Sequence, residues 1–330
     1  MQIDCILILS AGLGTRMGRI GQQLPKALLP VFEKRLLDIQ IEYAKRLKPK
    51  TIFINLHHHS GAIANHIEQN YNSSSPPIRL LFEDPILDSG GAIHNLKQEL
   101  APSSRCTLLT LNGDQCVFFK NPAILQNAYE HSSEYTSVLL PIWVQNSKEI
   151  KYNQIITNDN ELQDIIKSDQ VETEGPFMTY SGISFIRLDK LNHHTGASRF
   201  FDTVANYRQD IVRVEPIGKD DFEYWDFGTL ANYYRSIYQL LNYYRHRQKT
   251  SSLLVELACD IGLLDESKIG TDATLCYNSF NGSICLNGLP ITREQQVKNR
   301  IITIGDEKEE NFNRGNGIAF ESIFEQVYTI

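Results

Sequence analysis

The fold of this chain is decided by residues 3–17, which read IDCILILSAGLGTRM. Residues 3–9 form a short apolar run rich in Ile and Leu, and such a run is typical of a strand that is buried on both faces of a parallel sheet. The run ends at Ser10, and glycines follow at Gly12 and Gly14. A buried strand that leads into a glycine loop predicts the start of an α/β fold.

The chain beyond this loop alternates between helical and strand patterns. These patterns predict a helix over 35–48, a strand over 51–56, a helix over 61–71, a strand over 78–82, a helix opened by the glycines at 90 and 91, and a strand over 106–111. This β-α-β-α-β order predicts a Rossmann-like, twisted and mostly parallel sheet with helices on both faces.

From residue 136 the pattern changes to strands that are separated only by short turns. They are predicted over 136–144, 152–157, 162–167 and 178–186. Hairpins replace crossovers in this stretch, so the sheet is predicted to be mixed. A later helix over 230–246 carries five tyrosines, which we interpret as a packing stripe rather than as a stacking site for a ligand.

Composition and charge exclude several classes of protein. The 330 residues carry a formal net charge of −7, which argues against nucleic acid as a partner because a nucleic-acid site needs a positively charged face. The cysteines at 5, 106, 116, 259, 276 and 285 have irregular spacing and no CxxC pair, so we interpret them as reduced thiols. The first apolar run is too short for a signal peptide or a membrane span, so the sequence predicts a cytoplasmic protein with no membrane partner.

The glycine loop is followed by two cations. Gly12 and Gly14 come directly after a buried strand, where backbone N–H groups can approach a polyphosphate closely. Arg16 can neutralise terminal phosphates, and Lys26 follows ten residues later between two prolines. We expect these prolines to hold Lys26 in a stiff, extended segment that suits a cation aimed at phosphate.

Two familiar phosphate loops do not fit this stretch. A dinucleotide fingerprint needs glycine at the sixth position from Gly12, but that position is Met17 and Gly18 comes one residue late. The Walker pattern is also absent. The remaining alternative is a plain tight turn with an incidental lysine, which the occurrence of loop and lysine together after the first strand disfavours.

Two aspartates are candidate metal ligands. Asp114 follows Asn112 and Gly113 at the end of a predicted strand, and Asp226 stands in an aromatic-flanked turn before a helix. Two carboxylates can hold Mg²⁺, which takes oxygen ligands and commonly adds phosphate oxygens of a substrate. The alternatives are an ordinary turn aspartate for Asp114 and a helix N-cap for Asp226.

The motifs together resemble the sugar-1-phosphate nucleotidyltransferases, also called nucleotide-sugar pyrophosphorylases. Their signature joins an apolar strand to [AS]-AG-x-G-[TS]-R-[ML] and then to P-K-x-L-[LVM]-P, which this chain matches with Ala after the lysine. Further matches in the family's order are LDSGGA at 87–92, NGD at 112–114, YSGI at 180–183 and WDFGT at 225–229. The matches cover residues 3–230.

The resemblance implies a nucleotide-diphospho-sugar transferase fold and attack of a sugar 1-phosphate on the α-phosphorus of a nucleoside triphosphate, with release of pyrophosphate. Arg16, Lys26, Asp114 and Asp226 are the implied catalytic residues, the two aspartates as Mg²⁺ ligands. The implied nucleotide-binding residues are Ala11, Gly12, Gly14, Thr15, Arg16, Lys26, Ser89, Gly90, Gly91 and Asn112. The implied sugar-phosphate-binding residues are Asn112, Lys167, Ser181 and Gly182.

Several alternatives stay open. The family often carries E-K-P where this chain has Ile166, Lys167 and Ser168, so a solvated lysine at a strand end competes with a phosphate-binding one. The histidines at 57–59 are interpreted as surface or loop-packing residues rather than metal ligands. UTP or GTP is favoured, with a slight preference for UTP. A non-sugar phosphate such as phosphocholine and a catalytically silent regulatory subunit are the alternative functions.

The resemblance also divides the chain. Residues 1–250 are predicted to form the catalytic domain, and residues 251–330 a small, β-rich C-terminal appendage. Fragments of the appendage resemble coils of a left-handed β-helix, so a degenerate β-helix and an oligomerisation element both stay open. A homo-oligomer is therefore an expected form of the protein.

Overall fold

A computed structural model describes residues 1–31, 34–101, 105–146, 151–173, 175–245, 252–258, 275–278, 283–286, 300–303, 319–322 and 326–329. The strands lie, in chain order, at Cys5–Leu9 (β1), Pro30–Val31 (β2), Lys34–Arg35 (β3), Thr51–Leu56 (β4), Ile78–Phe82 (β5), Thr107–Asn112 (β6), Gln115–Phe119 (β7), Ser137–Val144 (β8), Gln154–Asn158 (β9), Glu161–Ile166 (β10), Phe177–Arg187 (β11), Arg213–Val214 (β12), Phe222–Asp226 (β13), Leu275–Asn278 (β14), Ser283–Leu286 (β15), Arg300–Thr303 (β16), Ala319–Ser322 (β17) and Gln326–Thr329 (β18). The helices lie at Gly18–Gln23 (α1), Leu36–Arg46 (α2), Ser60–Tyr71 (α3), Asp88–Leu100 (α4), Pro122–His131 (α5), Phe200–Thr203 (α6), Leu230–Arg245 (α7) and Leu253–Ala258 (α8).

The chain forms two compact units. Unit 1 consists of Met1–Gly12 and Tyr43–Tyr224, and unit 2 consists of Leu13–Glu42 and Trp225–Ile330. The predicted domain boundary at residue 250 falls in a stretch outside the described residues, so that division stays a prediction. Within the described part of the chain, no helix is both long and apolar enough to cross a bilayer.

Unit 1 is built on a nine-stranded sheet in the order β5-β4-β1-β6-β11-β8-β12-β10-β9. Strand β1 pairs in parallel with β4 on one side and with β6 on the other, and β5 extends the parallel part. Strand β11 runs antiparallel to both β6 and β8, and β9 and β10 form an antiparallel pair. The predicted α/β fold with a mixed, mostly parallel sheet in its first half is confirmed.

Burial on both faces explains the apolar run that opens the chain. Residues 5–8 of β1 are almost fully buried, as are residues 107–111 of β6. A strand that is buried on both faces is stabilised by apolar side chains on both faces. Each Å² of apolar surface removed from water contributes roughly 25 cal/mol of free energy. The core of unit 1 includes Leu7, Phe53, Leu108 and Leu139 from neighbouring strands of the sheet.

Unit 2 contains the remainder of the glycine loop and the C-terminal part of the chain. The loop continues into a short 3₁₀ turn at Thr15–Met17 and then α1, and a second 3₁₀ turn at Lys26–Leu28 precedes the β2–β3 hairpin. In α7, Tyr233, Ile237 and Leu240 are buried, which confirms part of the packing stripe. The side chains of the other four tyrosines lie outside the described residues.

The C-terminal strands form a separate five-stranded sheet in the order β14-β15-β16-β17-β18. Strand β16 lies between β15 and β17 and pairs in parallel with both. Parallel strands that recur at nearly equal intervals are also the arrangement of β-helix coils, but β14 and β18 pair antiparallel at the two edges. The connections between these strands, residues 279–282, 287–299, 304–318 and 323–325, lie outside the described part of the chain.

Candidate functional site

The parallel strands of unit 1 end at an edge where the order of the chain reverses. From β1 the chain passes to β4 and β5 on one side of the sheet and returns with β6 on the other side of β1. Ligands in open α/β sheets bind at such a switch point, at the carboxyl ends of the strands. Leu9 at the end of β1 is in register with Asn55 of β4 and with Asn112 of β6.

Hydrogen bonds tie the start of the glycine loop to both neighbouring strands. The Ser10 N–H donates to Oδ1 of Asn55 at 2.7 Å, and the Gly113 N–H donates to the Leu9 carbonyl at 2.9 Å. A Cβ atom on Gly113 would stand only 2.6 Å from that same Leu9 oxygen. Glycine in the N-G-D turn therefore lets the turn that carries Asp114 lie directly against the end of β1.

The structure brings three of the predicted sugar-phosphate residues together. Nδ2 of Asn112 donates to the Ser181 carbonyl at 3.3 Å and to Oε1 of Gln115 at 2.8 Å. Gly182 has a φ of 84°, and a Cβ atom there would collide with the Asn112 amide. The Ser181 hydroxyl is buried and donates to the Leu140 carbonyl at 2.6 Å, so this hydroxyl serves the fold.

Lys167 lies elsewhere in unit 1. It is exposed and follows the end of β10, in a turn where its carbonyl accepts the Gln170 N–H at 2.8 Å. In the sheet, β11, β8 and β12 stand between β10 and β6. The sheet therefore does not place Lys167 beside Asn112, and its role stays a prediction.

The carboxylates of Asp114 and Glu223 both act on the buried Cys116 in unit 1. Asp114 itself is partly buried, and the next residue but one is the fully buried Cys116. Burial raises the pKa of the Cys116 thiol above its ordinary value, and the carboxylates of Glu223 and Asp114 raise it further.

A row of polar side chains beside Asp114 was missed in the sequence. Nε2 of Gln115 donates to the hydroxyl of Tyr224 at 3.3 Å, and that hydroxyl donates to the Tyr152 hydroxyl at 3.3 Å. Gln115 could have been suspected because it directly follows the N-G-D motif. Nothing in the local pattern around Tyr152 or Tyr224 indicated that the two residues meet.

The segment with Ser89, Gly90 and Gly91 forms the first turn of α4, which confirms the predicted helix opened by these glycines. The Gly90 and Gly91 N–H groups donate to the Ser198 carbonyl at 2.9 and 3.1 Å, and the Ser198 N–H donates to the Leu87 carbonyl at 3.0 Å. These two predicted nucleotide-binding residues therefore already use their N–H groups inside the protein. Ser89 is partly exposed.

The glycine loop ends in unit 2 with its two functional side chains exposed. Gly14 has a φ of 67° and caps the turn Thr15–Met17, where the Met17 N–H donates to the Gly14 carbonyl at 2.8 Å. Met17 is buried, whereas Thr15 and Arg16 are exposed. Met17 thus anchors a turn that presents the Arg16 guanidinium to solvent.

Lys26 lies in a turn and not in the extended segment that the sequence predicted. Pro25 is extended with a ψ of 139°, but Lys26–Leu28 form a 3₁₀ turn. A proline restricts only the residue before it, so Pro30 keeps Leu29 extended and leaves Lys26 free to turn. The neighbouring Arg35 donates to the Leu28 carbonyl at 3.2 Å, and burial lowers the pKa of this guanidinium.

Asp226 is held in a fixed orientation in unit 2. One carboxylate oxygen accepts the Gly228 N–H at 2.7 Å, and the other accepts Nδ2 of Asn232 at 2.9 Å. The hydroxyl of Thr229, the residue before α7, accepts the Asn232 N–H at 3.2 Å. Thr229 is therefore the N-cap of α7, and Asp226 does not take that role.

The sequence of this chain is similar to those of known nucleotidyl transferases. The sequence profile described as nucleotidyl transferase matches residues 6–167. The bifunctional protein GlmU of Thermodesulfovibrio yellowstonii is 36% identical over 109 residues, which cover 33% of this chain and 22% of that protein. The mannose-1-phosphate guanylyltransferase regulatory subunit alpha-A of Danio rerio is 24% identical over 156 residues, which cover 47% of this chain and 37% of that protein.

The matched stretches thus span well under half of these relatives, whereas a structural match covers a whole chain. The crystal structure of HddC from Yersinia pseudotuberculosis, complexed with GMP-PN, superposes with a TM-score of 0.57 and 18% identity over 72% of this chain and 99% of that one. At this identity the likeness concerns the fold, which is that of the nucleotide-diphospho-sugar transferases. The chain therefore contains a nucleotidyl transferase domain over residues 6–167, and these relatives support the resemblance to the sugar-1-phosphate nucleotidyltransferases that the five motifs carry.

Proposed function

We propose that this protein transfers a nucleoside monophosphate from a nucleoside triphosphate to a sugar 1-phosphate and releases pyrophosphate. The observation that carries the proposal is the edge of unit 1 where the Gly113 N–H donates to the Leu9 carbonyl. There the turn with Asp114 lies against the strand end from which the glycine loop departs, at a topological switch point. A phosphate loop and an acidic turn side by side suit a phosphate substrate that binds together with a cation.

The proposed chemistry needs alignment and charge more than covalent help from the protein. An oxygen of the sugar phosphate attacks the α-phosphorus in line, and the bond from this phosphorus to the oxygen of the leaving pyrophosphate breaks. We assign Lys26 to the α-phosphate or the sugar phosphate, and Arg16 to the leaving pyrophosphate. Loss of one such charge is expected to cost about 10²- to 10³-fold in rate, by analogy with removal of one oxyanion donor.

The residues present fit Mg²⁺ as a cofactor. Asp114 and Asp226 are the proposed sources of carboxylate oxygens, which are the hard ligands that Mg²⁺ takes. This ion is usually held by one or two carboxylates and completes its shell with water and phosphate oxygens. When bound, the ion would neutralise charge on the phosphates.

The acceptor side is proposed to use Asn112, Ser181 and Gly182, with Lys167 as a further phosphate ligand. The mutual contacts of the first three residues in unit 1 support their assignment to one subsite. UTP or GTP is the proposed donor, with a slight preference for UTP. A non-sugar phosphate acceptor such as phosphocholine is the alternative within the same chemistry.

A regulatory role without turnover is the alternative from another class. It is favoured by the relative from Danio rerio, which is named a regulatory subunit. Retention of Arg16, Lys26, Asp114 and Asp226 in this chain speaks against it, because a protein that does no chemistry has no need of all four charges. We therefore retain the catalytic function as the proposal.

The remaining features of the proposal concern the whole molecule. Residues 1–250 are proposed to carry the activity, and the β-rich residues 251–330 to act as an appendage or in a homo-oligomer, since they supply none of the assigned phosphate or metal ligands. A cytoplasmic location is proposed as well. It is supported by Cys5, Cys106 and Cys116, which are all free thiols.

The test is a pyrophosphate-release assay with the four nucleoside triphosphates and a panel of hexose, heptose and N-acetylhexosamine 1-phosphates, together with phosphocholine. Turnover with a sugar phosphate supports the proposal, turnover with phosphocholine supports the acceptor alternative, and triphosphate binding without turnover supports the regulatory role. Asp114→Asn and Asp226→Asn should each abolish turnover because they remove metal-binding charge. Asp210→Asn, at an exposed site of unit 1, is the matched control.

A further inference from the structure

The amide of Asn55 occupies an unusual position near the end of β4. Asn55 is 3% exposed, and its side chain is hydrogen-bonded at both ends. Oδ1 accepts the Ser10 N–H at 2.7 Å, and Nδ2 donates to Oε1 of Glu83 at 2.7 Å. One buried side chain thus links the residue after β1 to the residue after β5.

Glu83 continues this link on its other side. It is 5% exposed, and its second carboxylate oxygen accepts the Leu87 N–H at 2.9 Å. Its backbone is fixed as well, since its N–H donates to the Leu56 carbonyl at 2.8 Å and its own carbonyl accepts Nδ1–H of His57 at 2.9 Å. The carboxylate therefore cannot shift without breaking hydrogen bonds to two other segments.

The two ends of this chain of hydrogen bonds are the starts of the two nucleotide segments. Ser10 leads directly into Ala11 and Gly12 of the glycine loop, and Leu87 is the N-cap of α4, whose first turn contains Ser89. The two residues that are tied, Ser10 and Leu87, both lie in unit 1 and are 77 positions apart in the sequence. The Asn55 and Glu83 side chains set the distance between them.

The buried hydrogen bonds of Asn55 and Glu83 hold the two tied segments in a fixed relative position. In a low-dielectric interior a fully satisfied network is rigid, and each hydrogen bond to a charged group is stronger than a neutral one. A buried carboxylate that loses a partner keeps the full cost of its desolvation, so the strands and the α4 start would rearrange to satisfy it. Such a rearrangement would alter the spacing of the two nucleotide segments.

We propose that Asn55 and Glu83 are positioning residues that set the spacing between the glycine loop and the first turn of α4, and hence the affinity for the nucleoside triphosphate. This inference rests on the proposed function, because it takes both segments as parts of the triphosphate site. The pair acts through the Ser10 and Leu87 N–H groups and does not itself touch the substrate.

Exchange of the two functional groups tests the proposal. In Asn55→Asp two carboxylates face one another, and in Glu83→Gln the introduced NH₂ faces either the Asn55 amide or the Leu87 N–H. In the double variant the carboxylate introduced at position 55 accepts the Ser10 N–H and also the NH₂ of the amide introduced at position 83. The oxygen of that amide accepts the Leu87 N–H. Every partner is then satisfied again, and the net charge equals that of the wild type.

The measurements are equilibrium binding of UTP and of GTP with Mg²⁺ to the full chain, and the KM values for both substrates. Each single variant should weaken triphosphate binding about tenfold or more, the range expected for a lost hydrogen bond to a buried charge. The KM for the sugar phosphate should change far less. The double variant should regain most of the lost affinity, which a merely structural role would not require. Asn70→Asp on the exposed face of α3, where Nδ2 donates to the His66 carbonyl at 2.8 Å, is the control.

Each other outcome contradicts a definite statement. If the double variant binds as weakly as the single ones, the Glu83 carboxylate is needed for itself and the positioning role is wrong. If the single variants bind normally, or if all three variants fail to fold, the pair has no role in spacing the site. If the wild type binds no triphosphate, the proposed function fails, and this result is distinguishable because it appears before any variant is compared.

Discussion

The chain contains two pairs of glycines at predicted nucleotide segments, and their surroundings differ. At Gly12 no atom of the described residues, its own chain neighbours apart, lies within 4 Å of the position that a Cβ would take, and Gly14 has a φ of 67° that favours glycine. At Gly90 a Cβ would stand 2.6 Å from the Arg199 carbonyl oxygen, and at Gly91 it would stand 2.5 Å from that of Gly196. In the first pair a Cβ would meet no close atom at Gly12 and a strained backbone at Gly14, whereas the second pair is packed tightly against backbone.

This difference separates two reasons for glycine at one proposed site. In the glycine loop the missing side chains leave room and backbone freedom for a ligand. In the first turn of α4 they leave room for the backbone around Ser198, whose carbonyl accepts both glycine N–H groups. Changes near the loop should therefore affect function more than stability, and changes at the packed pair should affect stability first.

The largest expected effect is on the loop side, at Lys26. Lys26→Ala should lower kcat by about 10²- to 10³-fold, because a cation that meets developing phosphate charge acts mainly in the transition state. Arg16→Ala should also raise the KM for the triphosphate. Steady-state pyrophosphate release measures both, and Lys151→Ala at an exposed site is the control. Unchanged kinetics in both variants would show that the loop is not the phosphate site.

The next effect concerns the packed pair. Gly90→Ala should destabilise the protein by about 1–3 kcal/mol, because the added methyl group meets rigid backbone. Urea unfolding measures this change. Gly61→Ala is the matched control, because Gly61 lies in the first turn of α3 with open space around it, and alanine there should be neutral or stabilising by up to about 1 kcal/mol. A Gly90→Ala variant that is as stable as the wild type but binds triphosphate weakly would show that Gly90 serves function before stability.

The comparison also indicates what sequence patterns can predict. The apolar run of β1, the alternation through β6 and the order of the motifs all depend on local composition, and all were predicted within a few residues. The packing of Gly90 against Ser198 joins positions more than a hundred residues apart, so the glycine pair was interpreted only as a nucleotide contact. The two-residue strand β12 was not predicted either, because it exists through its pairing with β8.

The buried pair of Asn55 and Glu83 was missed for a related reason. Polar residues just after apolar strands are ordinary strand ends, and nothing in the chain marks two of them as partners. The extended conformation expected for Lys26 was wrong because a proline restricts the residue before it, whereas Lys26 follows Pro25 and lies four positions before Pro30. Local rules therefore indicated candidates for substrate contact but not the buried residues that hold those candidates in place.

A smaller effect is expected at the open glycine. Gly12→Ala should change the free energy of unfolding by no more than about 0.5 kcal/mol, because among the described residues the methyl group has no close contact beyond its chain neighbours. If a triphosphate occupies that space, the KM for the triphosphate should rise. Comparison of unfolding midpoints and KM values with those of the wild type measures both. An unaltered KM would mean that the space beside Gly12 is not ligand space.

The smallest expected effect is a pH dependence on the packed side, at His94. This residue lies one turn after Gly90 in α4, is buried, and donates Nε2–H to the Thr203 carbonyl at 3.3 Å. Its Nδ1 has no hydrogen-bond partner among the described residues. Burial lowers the pKa of His94 below its ordinary value of 6.5, and the nearby His194, Lys97 and His193 lower it further, against the raising effect of the Thr203 contact.

The sign of the pH effect follows from this direction. Below pH 6.5 the unfolded chain binds a proton at this imidazole before the folded chain does, so folding stability falls as the pH decreases from 6.5 towards the lower pKa of the folded state. His94→Gln can still donate to Thr203 but does not titrate, so its stability should fall less than that of the wild type between pH 7 and pH 5. Urea unfolding at several pH values measures this difference, and His66→Gln on the surface of α3 is the control. If His94→Gln and the wild type lose equal amounts of unfolding free energy, protonation of His94 does not contribute to the pH dependence of stability.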